Sequence, residues 1–455
     1  MEITKVKSKI VIDNSFILKP GYHMNYGKKR IEKAIYNKFP FDSLGNVSGS
    51  VFTGGIFKRV FVDDPKYGDP YISAQHMMST NPLEVAKIIS KKYTPRQEEM
   101  SLKKNQILVS CAGTVGNVRL ITKDLEGVIG SQDIIRINPD DTKLPYGYLY
   151  AYLSSKTAYN YMQSYIYGSV VPRIEPNTLS KLPIPLLSEE KQLQIHQLIV
   201  EVSELRVEAN LALKKAQTIY NSKLSIEKTT NNIDKINSKE LKSNMRFGGN
   251  FFLSKGNDFE NKILQMKFSF LSNYVKNIFT SGRDKRNYTS ESNGIPFLSN
   301  GDISSFNPFK SCNYIVKKIV KDQSLIKRDM ILTGRVGQDT VGKVYLPYNL
   351  LIDTVASDNI IRIKISDEDD INMLFAFLSS DIGNEIIRKR KTGVGQPFVT
   401  EEMFLNIPIP HIEKEEKVFI NENVDKYRDN IDKSLSLELK AIALIEKEID
   451  LWQLS

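Results

Sequence analysis

The segment KLPIPLLSEEKQLQI at residues 181–195 returns as NIPIPHIEKEEKVFI at residues 406–420. Both copies couple a Pro-x-Pro run to a charged stretch with the character of a helix start. Other blocks recur in the same order. FDSLGN from Phe41 matches FSFLSN from Phe268, TGG from Thr53 matches TSG from Thr280, and PYISAQHM from Pro70 matches PFLSNGDI from Pro296. NQILVSCAGTVGNV from Asn105 matches DMILTGRVGQDTVGKV from Asp329, and SQDIIRI from Ser131 matches SDNIIRI from Ser357. AYLSS from Ala151 matches AFLSS from Ala376, and GSVVP from Gly168 matches GVGQP from Gly393. The offset stays between 224 and 227 throughout. A period near half of the 455 residues is too long for a solenoid repeat, so each half is expected to fold as a domain. A weaker correspondence precedes these blocks, between GYHMNYGKKRIEKAIYNKF and MRFGGNFFLSKGNDFENKI.

Within each half the local patterns also agree. The ILVSCAGTVGNVRLI and ILTGRVGQDTVGKVYL runs are β-rich and broken by glycine, which predicts hairpins. IIRI reads as a short apolar strand. YGYLYAYLSSKTAYNYMQ and INMLFAFLSSDIGNEIIRK carry apolar residues at helical spacing. Pro183, Pro185, Pro408 and Pro410 disfavour helix and hold the chain extended. Ser188 then suits a helix N-cap, with Glu189 and Glu190 near the positive helix end.

Beyond each junction the period changes. Leu198, Val202, Leu205, Ala209, Ala212, Ala216 and Ile219 alternate in steps of four and three, a heptad seam. Ile420, Val424, Tyr427, Ile431, Leu435, Leu439, Ile442, Ile445, Ile449 and Trp452 form a second, less regular stripe. Neither stretch, from Glu189 to Ile226 or from Glu413 onward, contains Gly or Pro. The first would span roughly 55 Å at the helical rise. Two such stripes are expected to bury each other, with Leu198, Val202, Leu205 and Ile219 facing Ile431, Ile442, Ile445 and Ile449. The expected fold class is α+β, with two tandem domains separated by two long antiparallel helices forming a coiled coil. The boundaries are a domain at 1–187, a helix at 188–226, a polar linker at 227–244, a domain at 245–411 and a helix at 412–455.

Lys and Arg number 63 against 53 Asp and Glu, a net charge of +10. That excess suits a polyanion, because basic side chains release counterions from phosphate. No run of 18 apolar residues exists and the start lacks a long apolar region, so a cytoplasmic protein without membrane contact is expected. Cys111 and Cys312 offer no disulfide framework, and His23, His76, His196 and His411 lack metal-ligand spacing. No metal site is expected. Catalytic patterns are missing too: there is no GxxxxGK[ST], GxSxG or HExxH, and no Asn/Asp-Pro-Pro-Tyr/Phe tetrad. GTVGN and TGVGQ read as hairpin turns. The EEK runs at Glu189 and Glu415 read as solvated helix starts rather than parts of a nuclease cluster.

Together these blocks resemble the specificity (S) subunit of Type I restriction-modification systems. IPLLSEEKQLQI follows that family's helix-start pattern, with Glu190, Gln192 and Ile195 in place. Thr53–Gly55, Pro70–Ile72 and Gln106–Leu108 stand where the family shows a Gly/Thr-rich turn, a Pro-aromatic-apolar run and a strand. Thr280–Gly282, Pro296–Leu298 and Asp329–Leu332 do the same in the second half. The second junction departs from the pattern, with His411 and Ile412 and with Glu416 and Lys417 in place of the glutamine. The resemblance implies two target-recognition domains that bind the halves of a bipartite, asymmetric double-stranded DNA target. It implies paired helices that set the spacer and dock two methyltransferase (M) subunits, with restriction (R) subunits joining. Catalysis is then absent from this chain, and S-adenosylmethionine, ATP and Mg belong to partner subunits.

For DNA contact the favoured residues in the first half are Lys58 and Arg59 after TGG, Gln75 and His76 after PYIS, and Arg173 after GSVVP. In the second half they are Arg283, Lys285, Arg286 and Asn287 in SGRDKRN, with Asn300, Arg335 and Gln396. Cations suit phosphates, and amides suit base edges. The aromatic run YNYMQSYIY from Tyr159 reads as helix packing rather than base stacking. Three other readings stay open: a specificity module of a different modification or phage-defence system, a cryptic nuclease, and a coiled-coil scaffold for protein-binding domains.

Overall fold

The computed structural model describes Ser8, residues 18–168, 170–224, Ser238, Leu241 and residues 248–282, 286–393 and 395–454. The linker expected at 227–244 lies outside these residues apart from Ser238 and Leu241. The chain divides into two units, Met1–Val207 with Lys433–Ser455, and Glu208–Asp432.

After a short turn of helix at Pro20–His23, the main elements of the first unit are helix α1 (Tyr26–Tyr36) and strands β1 (Phe41–Ser43), β2 (Ser48–Thr53), β3 (Gly68–Ile72) and β4 (Lys87–Ser90). Strands β5 (Ile107–Ser110), β6 (Val118–Leu120), β7 (Ile129–Gly130) and β8 (Ile134–Pro139) follow. Helices α2 (Tyr146–Ser154) and α3 (Lys156–Ser164), strand β9 (Pro183–Pro185) and helix α4 (Glu189–Lys223) complete the first repeat. One sheet has the order β2-β8-β5-β6 and is antiparallel throughout. A second has the order β4-β3-β7, in which β3 and β7 run parallel with Tyr71 opposite Ile129.

The second unit repeats this plan. Its elements are α5 (Lys255–Leu264), β10 (Phe268–Phe270), β11 (Val275–Phe279), β12 (Tyr288–Thr289), β13 (Gly294–Leu298), β14 (Asn313–Val316) and β15 (Met330–Gly334). They continue as β16 (Val344–Tyr345), β17 (Val355–Ala356), β18 (Ile360–Ile365), α6 (Glu368–Ser379), α7 (Asp381–Lys389), β19 (Pro408–Pro410) and α8 (Lys414–Leu454). The sheet orders are β11-β18-β15-β16 and β12-β14-β13-β17, and β13 runs parallel to β17 with Phe297 opposite Val355.

The repeated Pro-x-Pro junction now has a structural role. β9 pairs antiparallel with β1, Phe41 opposite Pro185 and Ser43 opposite Pro183, and β19 pairs likewise with β10. Proline lacks a ladder donor and is tolerated in such short edge pairs. The junction therefore ties the last strand of each α+β domain back to its first strand, immediately before the long helix begins.

Both faces of the central sheet are buried, and the strand period of two sorts the side chains. Ile135 and Ile137 join the larger core with Tyr148, Tyr150 and Tyr152 of α2, while Ile134 joins Ile72, Met77 and Leu108 in a smaller one. Of the tyrosine run, Tyr161 is buried in the larger core and Tyr165 packs against it, whereas Tyr167 is exposed.

Each unit takes part of both long helices into its core. In the first, Ile195, Ile199 and Val202 of α4 pack with Ala441, Ile445, Ile449 and Trp452 of α8. Lys191 pairs with Glu448 at 2.7 Å and Lys433 with Glu201 at 2.7 Å, an antiparallel register. In the second, Leu213, Ala216 and Tyr220 pack with Ile420 and Val424, and Lys223 pairs with Glu416 at 2.5 Å. The charged helix starts thus serve in interhelical ion pairs. Of the expected seam, Val202, Ile431, Ile445 and Ile449 are buried, while Leu198, Leu205, Ile219 and Ile442 are half-buried. The buried line also takes in Ile199, Arg206 and Tyr220, because each helix packs against its domain as well as its partner.

The weak leader correspondence also has a counterpart in three dimensions. α1 packs on α3, and α5 packs on α7. A Cβ on Gly27 would stand 2.3 Å from the Thr157 carbonyl oxygen, and one on Gly256 would stand 2.2 Å from that of Glu385. Both helices need a glycine where the backbones approach. Arg30 of α1 is held by Glu446 at 2.8 Å and by Asp450, and Phe39 stacks on Trp452. Among the described residues no helix is long and apolar enough to cross a membrane.

Candidate nucleic-acid interface

The turn between β7 and β8, Ser131–Asp133, forms a corner between the two sheets of the first unit. Ser357–Asn359 is its counterpart between β17 and β18. Three loops meet there through the same backbone bonds in both units. The Asp133 carbonyl accepts from Cys111 N–H at 3.1 Å, and the Asn359 carbonyl from Arg335 N–H at 2.9 Å. The Cys111 carbonyl accepts from Ile174 N–H at 3.1 Å, and the Arg335 carbonyl from Val399 N–H at 3.0 Å. The Pro172 carbonyl accepts from Gly113 N–H at 3.0 Å, and the Pro397 carbonyl from Gly337 N–H at 2.9 Å. The third loop is a small arch, closed by pairing of Tyr167 with Arg173 and of Thr392 with Phe398.

In the first unit this frame carries Arg173, exposed on the arch, with no ion pair among the described residues. Ser131 N–H donates to the Ile72 carbonyl, so the corner adjoins the end of β3 from which exposed Gln75 and half-buried His76 follow. Lys58 and Arg59 are exposed in the coil after β2, and Arg59 reaches the Tyr71 hydroxyl at 3.3 Å. In the second unit the corner gathers three expected residues. Asn300 donates to the Asn359 carbonyl at 3.2 Å, as Arg335 N–H does, and Arg286 pairs with Asp358 at 2.6 Å while lying over the Phe297 ring. Asn287 is exposed beside Arg286, and Gln396 is exposed on the arch. Arg283 and Lys285 lie outside the described residues.

Other candidates were passed over by sequence reasoning. Arg96 has a left-handed backbone (φ 52°) and lies beside the TGG turn, its guanidinium 2.8 Å from where a Cβ on Gly55 would stand. Lys92 lies over the exposed Tyr93 ring, Lys66 over Tyr67 and Lys87 over Phe61. Exposed cations interleaved with aromatic rings suit phosphates and stacked bases. The run KKYTPR at residues 91–96 carried that signal. Val170, at the arch tip, is 91% exposed.

Three buried arginines lie beneath these loops. Arg119 donates to the Met77 and Ser79 carbonyls at 2.8 and 2.6 Å, bracing the turn that begins at Gln75. Arg136 and Arg362, fully buried, occupy the same place under the two corners. Burial lowers all three to about 10, so they stay charged at neutral pH. Nothing in the sequence marked Arg136 or Arg362, because IIRI reads as an apolar strand and arginine is ordinarily a surface residue.

Residues 41–216 match the Type I restriction modification DNA specificity domain family. That segment carries a Type I restriction modification DNA specificity domain. The match runs from β1 through the strands of the first unit into α4; the second repeat, from α5 onward and outside the match, has the same four-stranded order, the same parallel pair and the same corner, with β12 as an added edge strand in its other sheet. Solved structures similar to the chain include the Type I restriction-modification S subunit of M. genitalium, at 15% identity over 91% of this chain and 96% of that one, TM-score 0.36. Another is the HsdS subunit of Thermoanaerobacter tengcongensis, at 15% identity over 90% and 96%, TM-score 0.28. A third comes from work on complex assembly and conformational transition of the type I R-M system, at 14% identity over 90% and 97%, TM-score 0.29. No curated protein matches the sequence.

Proposed function

We propose that this chain is the non-catalytic reader of a bipartite, asymmetric double-stranded DNA target, one half-site per unit. The duplicated corner carries this reading: one backbone frame, two different sets of side chains. Where the first unit has Gln132 and Asp133 the second has Asp358 and Asn359, and Cys111 is matched by Arg335. Arg173 is matched by Phe398, and Val171 by Gln396. One frame with different readers suits two half-sites of different sequence. Cations on the loops hold phosphates; Gln75, His76, Asn287, Asn300 and Gln396 address base edges. The long helices, free of Gly and Pro, are the elements whose length would set the gap between half-sites.

Adenine methylation with S-adenosylmethionine, and ATP- and Mg-dependent cleavage, belong in this reading to two methyltransferase subunits and to restriction subunits. Two matching exposed apolar places support docking of two equal partners. Leu193 on α4 is 44% exposed, and Val418 on α8, at the same place in the repeat, is 51% exposed beside Phe419. Leu193→Asp and Val418→Asp are each expected to remove one methyltransferase copy from the purified complex, measured by native mass spectrometry. Retention of both copies in both variants would contradict this docking surface. Titration of the full chain with labelled duplex tests the DNA reading: a steep fall of affinity with salt is expected, and a chain that does not retain duplex would refute it.

A further inference from the structure

Arg136 and Arg362 offer more than core filling. Arg136 Nη1 donates to the carbonyls of Ser131 at 3.4 Å and Ile134 at 3.2 Å, and Nη2 to those of Gly130 at 2.8 Å and Met100 at 3.3 Å. Arg362 Nη1 donates to Ser357 at 3.4 Å and Ile360 at 2.8 Å, and Nη2 to Ala356 at 2.5 Å and Ser324 at 3.1 Å. Three of the four acceptors match by the repeat offset of 226, and the fourth by 224. The surroundings differ, with Gly130 replaced by Ala356 and Met100 by Ser324. The bond pattern is nonetheless the same.

Such an arrangement has a cost. Among the described residues no carboxylate forms an ion pair with either guanidinium, so a full charge is buried with backbone carbonyls as its hydrogen-bond partners. The neighbours on that sheet face are apolar: Leu108 and Ile134 in one unit, Leu332 and Ile360 in the other. An aliphatic side chain would satisfy core packing. What it would not do is hold both ends of the corner. Each arginine grips the residue that opens the corner (Ser131, Ser357) and the residue that follows it (Ile134, Ile360). The two corner residues between them are the ones whose backbone and side chains place Cys111, Arg286, Asn300 and Arg335.

We infer that Arg136 and Arg362 are positioning residues for base discrimination, each fixing the recognition corner of its own unit and hence the reading of one half-site without touching DNA. This rests on the two-reader function proposed above. Its signature is locality: loss of either arginine should blur one block of the target and spare the other.

The test uses the full chain and sequencing of duplexes retained from a randomised library. Wild type serves as control; if it enriches no sequence, the reader function fails and the arginine assignment is not what has failed. With wild-type enrichment in hand, Arg136→Met is expected to reduce discrimination against mismatches in one block about tenfold and leave the other intact. Arg362→Met should do the reverse. The slope of log affinity against log salt should stay at the wild-type value in both, because neither guanidinium meets a phosphate. Equal blurring of both blocks, full discrimination in a folded variant, or a slope reduced by about one would each overturn the assignment. Should a methionine variant fail to fold, Arg136→Lys and Arg362→Lys carry the test. They retain the charge, but one ammonium nitrogen cannot reach four carbonyls. They are expected to show a several-fold loss confined to their own block, with faster amide exchange at residues 131–134 or 357–360. Wild-type discrimination and exchange in the folded lysine variants would refute the role.

Discussion

Replacing Glu438 by leucine is expected to destabilise the first unit by about 3–5 kcal/mol, the effect of leaving a buried charge without its partner. Glu438 is 1% exposed and accepts from Arg206 Nη2 at 2.9 Å, from Arg206 Nη1 at 3.3 Å and from the Tyr150 hydroxyl. Burial pulls the Arg206 guanidinium down, and Glu438 with Tyr150 more than offsets that, holding it above its ordinary value. At the matching places, 225 residues away, the second unit buries Ile431, Leu213 and Phe375. One unit solves this packing problem with an ion-paired triad and the other with an apolar one. The triple variant Arg206→Ile, Glu438→Leu, Tyr150→Phe copies the second solution into the first unit. It is expected to match wild type or exceed it by about 1–4 kcal/mol, as replacements of buried ion pairs by packed apolar groups do. The only tryptophan, Trp452, is buried against Phe39 and Phe41 in the same unit, so its fluorescence during urea unfolding reports the change directly. A single variant with an unchanged midpoint would show that the triad contributes nothing.

The second large effect concerns DNA. Lys58→Ala, Arg59→Ala and Arg173→Ala together are expected to reduce the steepness of log affinity against log salt by about 3, near 0.9 for each phosphate contact removed. Affinity should fall for every duplex, cognate or not. Gln75→Ala and Gln396→Ala should behave in the opposite way, keeping the slope and losing about 1–3 kcal/mol of preference at a single base position. Because the two glutamines stand in different units, the positions affected should fall in different blocks. A triple cation variant with the wild-type slope would remove those three residues from the interface.

How much of this was legible in the sequence follows from the kind of signal each feature leaves. The duplication was legible because strands, turns and Pro-x-Pro runs recur at near-constant spacing, and backbone geometry demands those residue types locally. The role of the junction was only half legible: proline announces an extended segment, but its pairing with Phe41 or Phe268 is non-local. The leader helices kept little beyond a glycine at 27 and 256, because contact with a neighbouring backbone constrains one position and leaves the rest free. The helical seam was read one residue aside at Leu198, Leu205 and Ile219. A helix buried on two faces widens its apolar stripe, and Arg206 hides a core position behind a charge. Arg286 could be named as a candidate because SGRDKRN is a dense polar cluster, and Asn300 and Arg335 as polar residues within the recurring blocks. Their gathering by the Asn359 carbonyl and the Asp358 carboxylate depends on contacts that no local pattern encodes. The same holds for Arg136 and Arg362.

One chain with two differently equipped copies of one frame is expected to read two separated stretches of duplex. The most direct measurement is selection of bound duplexes from a fully randomised library by the purified full-length chain, followed by sequencing. Two specified blocks of unlike sequence, separated by an unspecified gap of constant length, are expected. A single uninterrupted block, two identical blocks, or enrichment indistinguishable from the starting library would contradict that expectation.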